Sequence, residues 1–199
     1  MDINRDYRTI TREQYLFHEM RIVARLLDDG MDEEQVKEEV VANNLFQYPT
    51  ERMIKNIASV CLNRFKETDS KELIHIVATE SSDVAKQACL FLMMNYYRLV
   101  WEFMITVIGE KYRTKDSSFT KMDLNSFFTR LQEQNDVVAS WSDATINKCK
   151  QVLKKTLVET GYLDNNRSET LNPVLLDYSV KEAIENTNNN EALVAFGCM

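Results

Sequence analysis

The chain has 199 residues and a formal net charge of -7 at pH 7, and 44% of its residues are hydrophobic. This length and apolar content suffice for a sizeable core, and four glycines with two prolines are too few to punctuate a many-stranded sheet. We therefore expect a mainly α protein. The four cysteines form no CxxC pair and the two histidines add no ligand spacing, so we expect buried thiols, no metal and no cofactor.

The beginning of the chain, MDINRDYRTITREQY, is polar and charged where a secretory signal would be apolar, so we expect a cytoplasmic protein. The stretch 89–108 is apolar enough to suggest a membrane span. It contains Asn95, Arg98 and Glu102, whose burial in lipid would be costly. We interpret it as the central buried helix of a bundle and expect no membrane partner.

Helix start signals recur through the first half of the chain, as capping boxes or single N-caps. They are Thr11 with Gln14, Asp32 with Gln35, Thr50, and Ser82. Gly30 suits the left-handed position after a first helix. The signals predict five helices, near 12–28, 32–43, 50–66, 70–79 and 82–112.

The third predicted helix has one apolar stripe that faces the bundle. The stripe consists of Met53, Ile57, Val60 or Cys61, and Arg64 with Phe65. Arg52 and Lys55 lie off this stripe and are therefore expected to face solvent.

A polar run, RTKDSSFT at 113–120, predicts a domain boundary. We expect a helical bundle domain over 1–115 and a second domain over 116–199. The second begins with a helix over 120–134 and, after a short link, has a lysine-bearing helix within 140–164. Two β-permissive pairs, at 162–163 and 170–171, flank an Asn-Asn-Arg turn and predict a small hairpin. A last helix is expected near 174–186.

The lysine-bearing helix is amphipathic. Ser142 is its predicted N-cap, Trp141 can staple onto Ile146, and Gly161 ends it. The inward arc is Ile146, Cys149, Leu153, Thr156, Leu157 and Thr160. The outward arc is Asn147, Lys148, Gln151, Lys154 and Lys155.

A helix, a short link, a capped second helix and a hairpin with a basic tip follow one another in the order of a winged helix-turn-helix. In that arrangement the second helix enters the major groove of DNA. Lys148, Lys154 and Lys155 would then meet phosphates or guanine edges, and Asn147 and Gln151 would read base edges. Arg167, at the hairpin tip, would reach the flanking backbone or the minor groove. The alternative is that these lysines form a solvated helix face.

Three stretches of the chain resemble the BrxA family, the accessory proteins of BREX bacteriophage-defence systems. They are HEMRIVARLLDDGMDEEQVKEEVVANNLFQYPT at 18–50, YRLVWEFMITVIGEKY at 97–112 and WSDATINKCKQVLKKTLVETGYL at 141–163. The resemblance implies a cytosolic, largely helical, non-catalytic protein with a winged-helix-like part that binds double-stranded DNA. It leaves the oligomeric state open.

The resemblance also directs attention to basic residues of the first half. Arg21, Arg25, Arg52 and Lys55 are candidate DNA contacts, and structural ion pairing is an equal alternative for the three arginines.

The sequence has no glycine-rich phosphate loop, no HExxH motif and no nucleophile with a positioned base, so we expect no enzymatic activity. Two other functions remain open. The chain would be a protein-interaction adaptor for other BREX components if its helical first half holds a partner. It would be an RNA binder by analogy with the antitermination protein NusB alone.

Overall fold

The computed structural model of the protein describes residues 6–198, and its secondary structure there is helical. The helices are α1 Phe17–Asp28, α2 Glu33–Ala42, α3 Glu51–Thr68, α4 Lys71–Thr79, α5 Ser82–Tyr96, α6 Arg98–Phe103, a π-helical turn Met104–Gly109, α7 Glu110–Thr114, α8 Lys121–Gln134, α9 Asp136–Ala139, α10 Asp143–Glu159, α11 Tyr178–Asn186 and a 3-10 segment Asn190–Phe196. The prediction of a mainly α protein is therefore confirmed.

The described residues group into two compact units. The helical unit comprises residues 15–96 and 177–189, and the basic-helix unit comprises 6–14, 97–176 and 190–198. This grouping places 97–115 with 116–176, so it does not follow the boundary predicted near 113–120. The division into domains 1–115 and 116–199 stays a prediction.

The helical unit contains α1 to α5 together with α11. Asp32 and Gln35 form the predicted capping box at α2, Thr50 caps α3, and Gly30 adopts a φ of 94° after α1. The chain returns to this unit at Asp177, whose backbone N–H donates to the Gln87 side chain at 2.8 Å. Three of the predicted helix boundaries thus follow from local capping chemistry.

The predicted start of the first helix is wrong. The helix begins at Phe17, five residues later than expected, and it follows Leu16 in the left-handed conformation. Thr11 and Gln14 therefore do not form a capping box for it. The side chain of Gln14 instead accepts a hydrogen bond from Lys155. A contact distant in sequence replaces the local one.

The stripe predicted for the third helix is confirmed at Cys61, Arg64 and Phe65, but its first part is displaced by one residue. The buried side chains of α3 are Ile54, Ala58, Cys61, Leu62, Arg64 and Phe65. Met53 is 45% exposed, so its assignment to the core is wrong, whereas Arg52 and Lys55 are exposed as expected. Packing against α2 and α5 sets this face.

The predicted continuous helix over 82–112 is broken at Tyr97, which has extended backbone angles between α5 and α6. Its hydroxyl donates to the carboxylate of Glu13, and Arg98 lies 4.5 Å from the ring centroid of Tyr7. The sequence has no glycine or proline at the break. Contacts with the N-terminal segment accompany it instead. The apolar stretch is buried, but it forms more than one helix.

The predicted β-hairpin at 162–171 is not formed, and no strand occurs within residues 6–198. Thr170 instead forms an isolated antiparallel bridge with Ser118. Flanking bonds join Phe119 N–H to the carbonyl of Glu169 at 2.8 Å and Leu171 N–H to that of Ser117 at 2.7 Å. Of the two predicted pairs, Thr170 and Leu171 pair with the segment before α8, whereas the carbonyl of Tyr162 accepts from the backbone N–H of Asn172 at 2.9 Å.

The C-terminal segment Asn190–Phe196 packs against the π-helical turn. A Cβ atom placed on Gly109 would lie 2.6 Å from Cγ1 of Val194, so the approach depends on the absence of a side chain. Nearby, the buried hydroxyl of Tyr162 donates to the carbonyl of Ala195 at 3.0 Å. The tail, for which the sequence made no prediction, is thus part of the core.

Candidate nucleic-acid interface

Helix α10 is amphipathic as predicted. Its buried side chains are Ile146, Cys149, Val152, Leu153, Thr156 and Leu157. Asn147, Lys148, Gln151 and Lys155 are exposed, and Lys154 is half-buried. The inward arc is confirmed except at Thr160, which is half-buried, and it also includes Val152.

Local capping fixes the ends of α10. The hydroxyl of Ser142 accepts from the backbone N–H of Thr145 at 3.2 Å, and Gly161 has a φ of 83° after the last turn. Trp141 is half-buried, so a staple there covers less of the ring than full burial would. The residue types at both ends therefore set the length of the basic helix.

A cleft of about 430 Å³ opens beside α10. It is lined by three lysines, three side-chain amides and one apolar residue: Lys148, Lys154, Lys155, Gln14, Gln151, Asn166 and Val152. The structure thus brings together four of the predicted site residues. Asn147 is exposed on the same helix but does not line the cleft.

Two lysines of α10 have defined partners. The amine of Lys155 donates to Oε1 of Gln14 at 2.8 Å and lies 3.4 Å from a carboxylate oxygen of Glu159. The amine of Lys150 donates to Oδ1 of Asn125 on α8 at 2.8 Å. Lys150 therefore links the two helices, while Lys155 is held at the cleft.

The turn after α10 carries Arg167, which is exposed. Oδ1 of Asn165 accepts from the backbone N–H of Arg167 at 2.8 Å, and the N–H of Ser168 donates to the Asn165 carbonyl at 3.1 Å. Asn166, between them, reaches the cleft. A compact asparagine turn therefore replaces the predicted hairpin tip.

The basic candidates of the first half belong to the helical unit and do not line the cleft. Arg21 donates to the carbonyl of Glu80 at 2.6 Å, and Arg25 to that of Ala78 at 3.3 Å. Lys55 forms an ion pair with Glu51, and Arg52 is exposed. Both α1 arginines thus donate hydrogen bonds to carbonyl groups at the C-terminal end of α4, where cationic side chains are favourable.

Sequence reasoning missed three residues of the cleft, Gln14, Val152 and Asn166. The sequence pattern places Gln14 in a capping box and Asn166 in a hairpin turn. Only Val152 carried a usable signal, because it lies next to the inward arc on the helical wheel.

Burial determines the protonation state of Cys149, the cysteine of α10. It raises the pKa of the Cys149 thiol, and a backbone hydrogen bond from Ile10 opposes this rise. The thiol is therefore protonated at neutral pH and unreactive. Among residues 6–198 no three His, Cys, Asp or Glu side chains are grouped so as to hold a metal ion.

None of the helices that the structure describes is long and apolar enough to cross a membrane. The fold and the cleft together define a helical protein of two units, one of which presents a basic, amide-lined surface.

The family model for BrxA matches residues 6–188, and the chain belongs to the BrxA family. It is 38% identical to "BREX protein BrxA" of Bacillus cereus (strain H3081.97) over 88% of each chain. It is 30% identical to the protein of that name from Escherichia coli O9:H4 (strain HS), over 79% of this chain and 74% of the relative.

A solved structure also shares the fold. The crystal structure of an uncharacterized protein from Magnetospirillum magneticum has a TM-score of 0.82 and 22% sequence identity. The match covers 96% of this chain and 98% of that one.

Proposed function

We propose that this protein is a non-enzymatic accessory component of a BREX phage-resistance system and that it binds double-stranded DNA through the cleft face of α10. The relatives named "BREX protein BrxA" support membership of such a system. DNA binding rests on the chemistry of the cleft. The protein would act by docking, without a reaction of its own.

The observation that carries the proposal is the composition of the cleft. Lys148, Lys154 and Lys155 converge there with amide side chains in a chain that is acidic overall. Lysine binds phosphate as a point charge, and amides present the paired donor and acceptor that adenine recognises. Local rather than net charge governs docking on a polyanion.

The order of elements supports a winged-helix-like arrangement in the basic-helix unit. The segment of Ser118 precedes α8, α8 and α10 follow, and the Asn165–Ser168 turn leads back to Thr170, which bridges Ser118. In this interpretation α10 is the recognition helix, and the turn with Arg167 stands where a wing would lie.

The direct test is a triple variant, Lys148→Ala with Lys154→Ala and Lys155→Ala. We expect weaker binding to every duplex sequence, because fewer counterions are released when phosphate contacts are lost. The slope of log K against log salt should flatten by about 2.7, or about 0.9 for each lysine. Fluorescence anisotropy with labelled duplex DNA at several salt concentrations measures both quantities.

The matched control removes the same charge from the helical unit, by Lys66→Ala, Lys71→Ala and Lys181→Ala. It should retain the affinity and slope of the wild type. Unchanged DNA binding by the folded triple variant, the cleft variant, would overturn the proposal. Tighter binding of the wild type to duplex RNA than to duplex DNA would indicate an RNA-binding protein.

An adaptor function is the second candidate, and a groove of the helical unit favours it. The groove has a volume of about 460 Å³ and lies between α2 and α3, lined by Lys37, Glu38, Val41, Ala42, Lys55 and Ser59. An adaptor would co-purify with a BREX partner and would bind duplex DNA no better than the cleft variant does.

A further inference from the structure

The described N-terminal segment, residues 6–14, has no helix and groups with the basic-helix unit, although α1 begins only three residues further along the chain. Four of its side chains or backbone groups are anchored there. Tyr7 contacts Arg98, Ile10 bonds to the thiol of Cys149, Glu13 accepts from Tyr97, and Gln14 accepts from Lys155. The segment is therefore fixed along its length.

Two of these anchors lie on α10 and give the segment a direction. The backbone of Ile10 forms a hydrogen bond with the thiol of Cys149. Gln14 accepts a hydrogen bond from Lys155, which lies six residues further along the helix. Six helical residues rise about 9 Å, and four extended residues span at most about 13 Å. The segment therefore runs beside α10 in the same direction, and its residue Gln14 lines the cleft.

Arg12 is the exposed residue midway between these two anchors. It is exposed, whereas Ile10 is fully buried and Gln14 lines the cleft. Arg12 is two residues from Gln14, so their Cα atoms are separated by about 7 Å at most. The long side chain of Arg12 can therefore bring its guanidinium to a ligand that is bound by the lysines of the cleft.

We propose that residues 6–14 are a second element of the nucleic-acid interface and that Arg12 is a phosphate contact beside the lysines of α10. This inference rests on the proposed function, since it assigns a further residue to the same site. Gln14 acts as a positioning residue, because its amide holds the amine of Lys155 at the cleft.

Arg12→Ala tests the inference in the full chain. We expect weaker binding to all duplex sequences alike and a salt slope flattened by about 0.9. Between about 50 and about 200 mM salt the wild type should therefore lose about 3.5-fold more affinity than the variant does. Arg12→Lys should restore most of the slope, since a lysine also neutralises a phosphate.

Lys71→Ala, which removes one exposed charge from the helical unit, is the matched control and should behave as the wild type. Thermal unfolding should give the same Tm for Arg12→Ala and the wild type. A variant that binds weakly with an unchanged slope would contradict a phosphate contact.

The two proposals fail separately. If the triple lysine variant loses binding while Arg12→Ala has the affinity and salt slope of the wild type, residues 6–14 are excluded from the interface and the cleft of α10 stands. If neither variant changes binding, the proposed function itself is overturned.

Discussion

Arg64 is a charged residue inside the apolar stripe of α3. It is fully buried, and its guanidinium donates to the carbonyl of Tyr15 at 2.7 Å. Beside it, burial raises the pKa of the Cys61 thiol to about 12, although the positive charge of Arg64 opposes this rise. The thiol stays protonated, and its burial fits the expectation of buried thiols. The sequence placed Arg64 on the buried face but could not identify its partner.

Lys111 is a second charged residue in a protected position. Its amine lies 2.9 Å from a carboxylate oxygen of Asp116 and 2.9 Å from one of Asp123. Burial lowers the pKa of Lys111, but its hydrogen bonds to the two carboxylates outweigh that effect and raise it. The hydrogen bond from Lys111 is the main cause that lowers the pKa of Asp116.

For Asp123, burial raises the pKa, and hydrogen bonds from Thr120 and Lys111 more than offset it, so the pKa is lowered. Carboxyl groups with lowered pKa values in the folded state stabilise it at neutral pH, and this stability is lost as the pH falls below their ordinary pKa of about 4. Lys111, with a raised pKa, contributes at neutral pH and loses its contribution only at alkaline pH.

We therefore expect Lys111→Met to lower the unfolding midpoint at pH 7, because two carboxylates lose their partner. The difference from the wild type should shrink as the carboxyl groups are protonated below a pH of about 4. Denaturant titrations at a series of pH values measure this. Lys121→Met, at an exposed position, is the control, and a pH-independent difference would argue against the ion-pair explanation.

At the scale of elements, sequence reasoning succeeded where local chemistry decides. The α2 capping box, the Ser142 cap and the Gly161 stop all follow from residue type and spacing. It failed where distant contacts decide, as at Tyr97 and at the bridge of Thr170 with Ser118.

The region after the break at Tyr97 forms the aromatic core of the basic-helix unit. The ring of Phe103 on α6 is fully buried, with its centroid 5.4 Å from that of Phe127 and 6.2 Å from that of Phe119. This cluster joins α6 to α8 and to the segment that precedes α8. The burial of Phe103 follows from the apolar run in the sequence, but its partners do not.

We expect Phe103→Ala to lower the free energy of unfolding by about 3–5 kcal/mol, because it removes a buried ring and leaves a cavity. Met122→Ala is the control on α8, since Met122 is 74% exposed, and it should change stability by less than about 0.5 kcal/mol. Urea denaturation of the three proteins measures the differences. Equal midpoints for both variants would show that the cluster does not stabilise the unit.

At the scale of the whole molecule, composition predicted the class of fold, since few glycines and prolines and many helix formers left little room for a sheet. It could not predict how the chain is shared between the units. The segments 6–14 and 177–189 each group with residues distant in sequence. Such returns depend on packing, which no local pattern encodes. For the same reason Gln14 was missed as a member of the cleft.

The contact of Gly109 with Val194 predicts an energetic coupling. Gly109→Ala should destabilise the protein, with an overpacking cost of about 1–3 kcal/mol, part of which the higher helix propensity of alanine offsets. The cost should be smaller in a Val194→Ala background, where the nearest atom is gone. A double-mutant cycle by urea denaturation measures the difference, and strict additivity within about 0.5 kcal/mol would exclude the coupling.

This same contact constrains how the two positions can change over evolutionary time. The match to the family ends at residue 188, two residues before the segment that covers Gly109 begins. Relatives that keep the segment should keep glycine there, and those that have lost or altered the segment are free to carry alanine or a larger residue. We expect the two traits to covary across the family, so that a residue larger than glycine occurs at this position only where the segment is lost or altered.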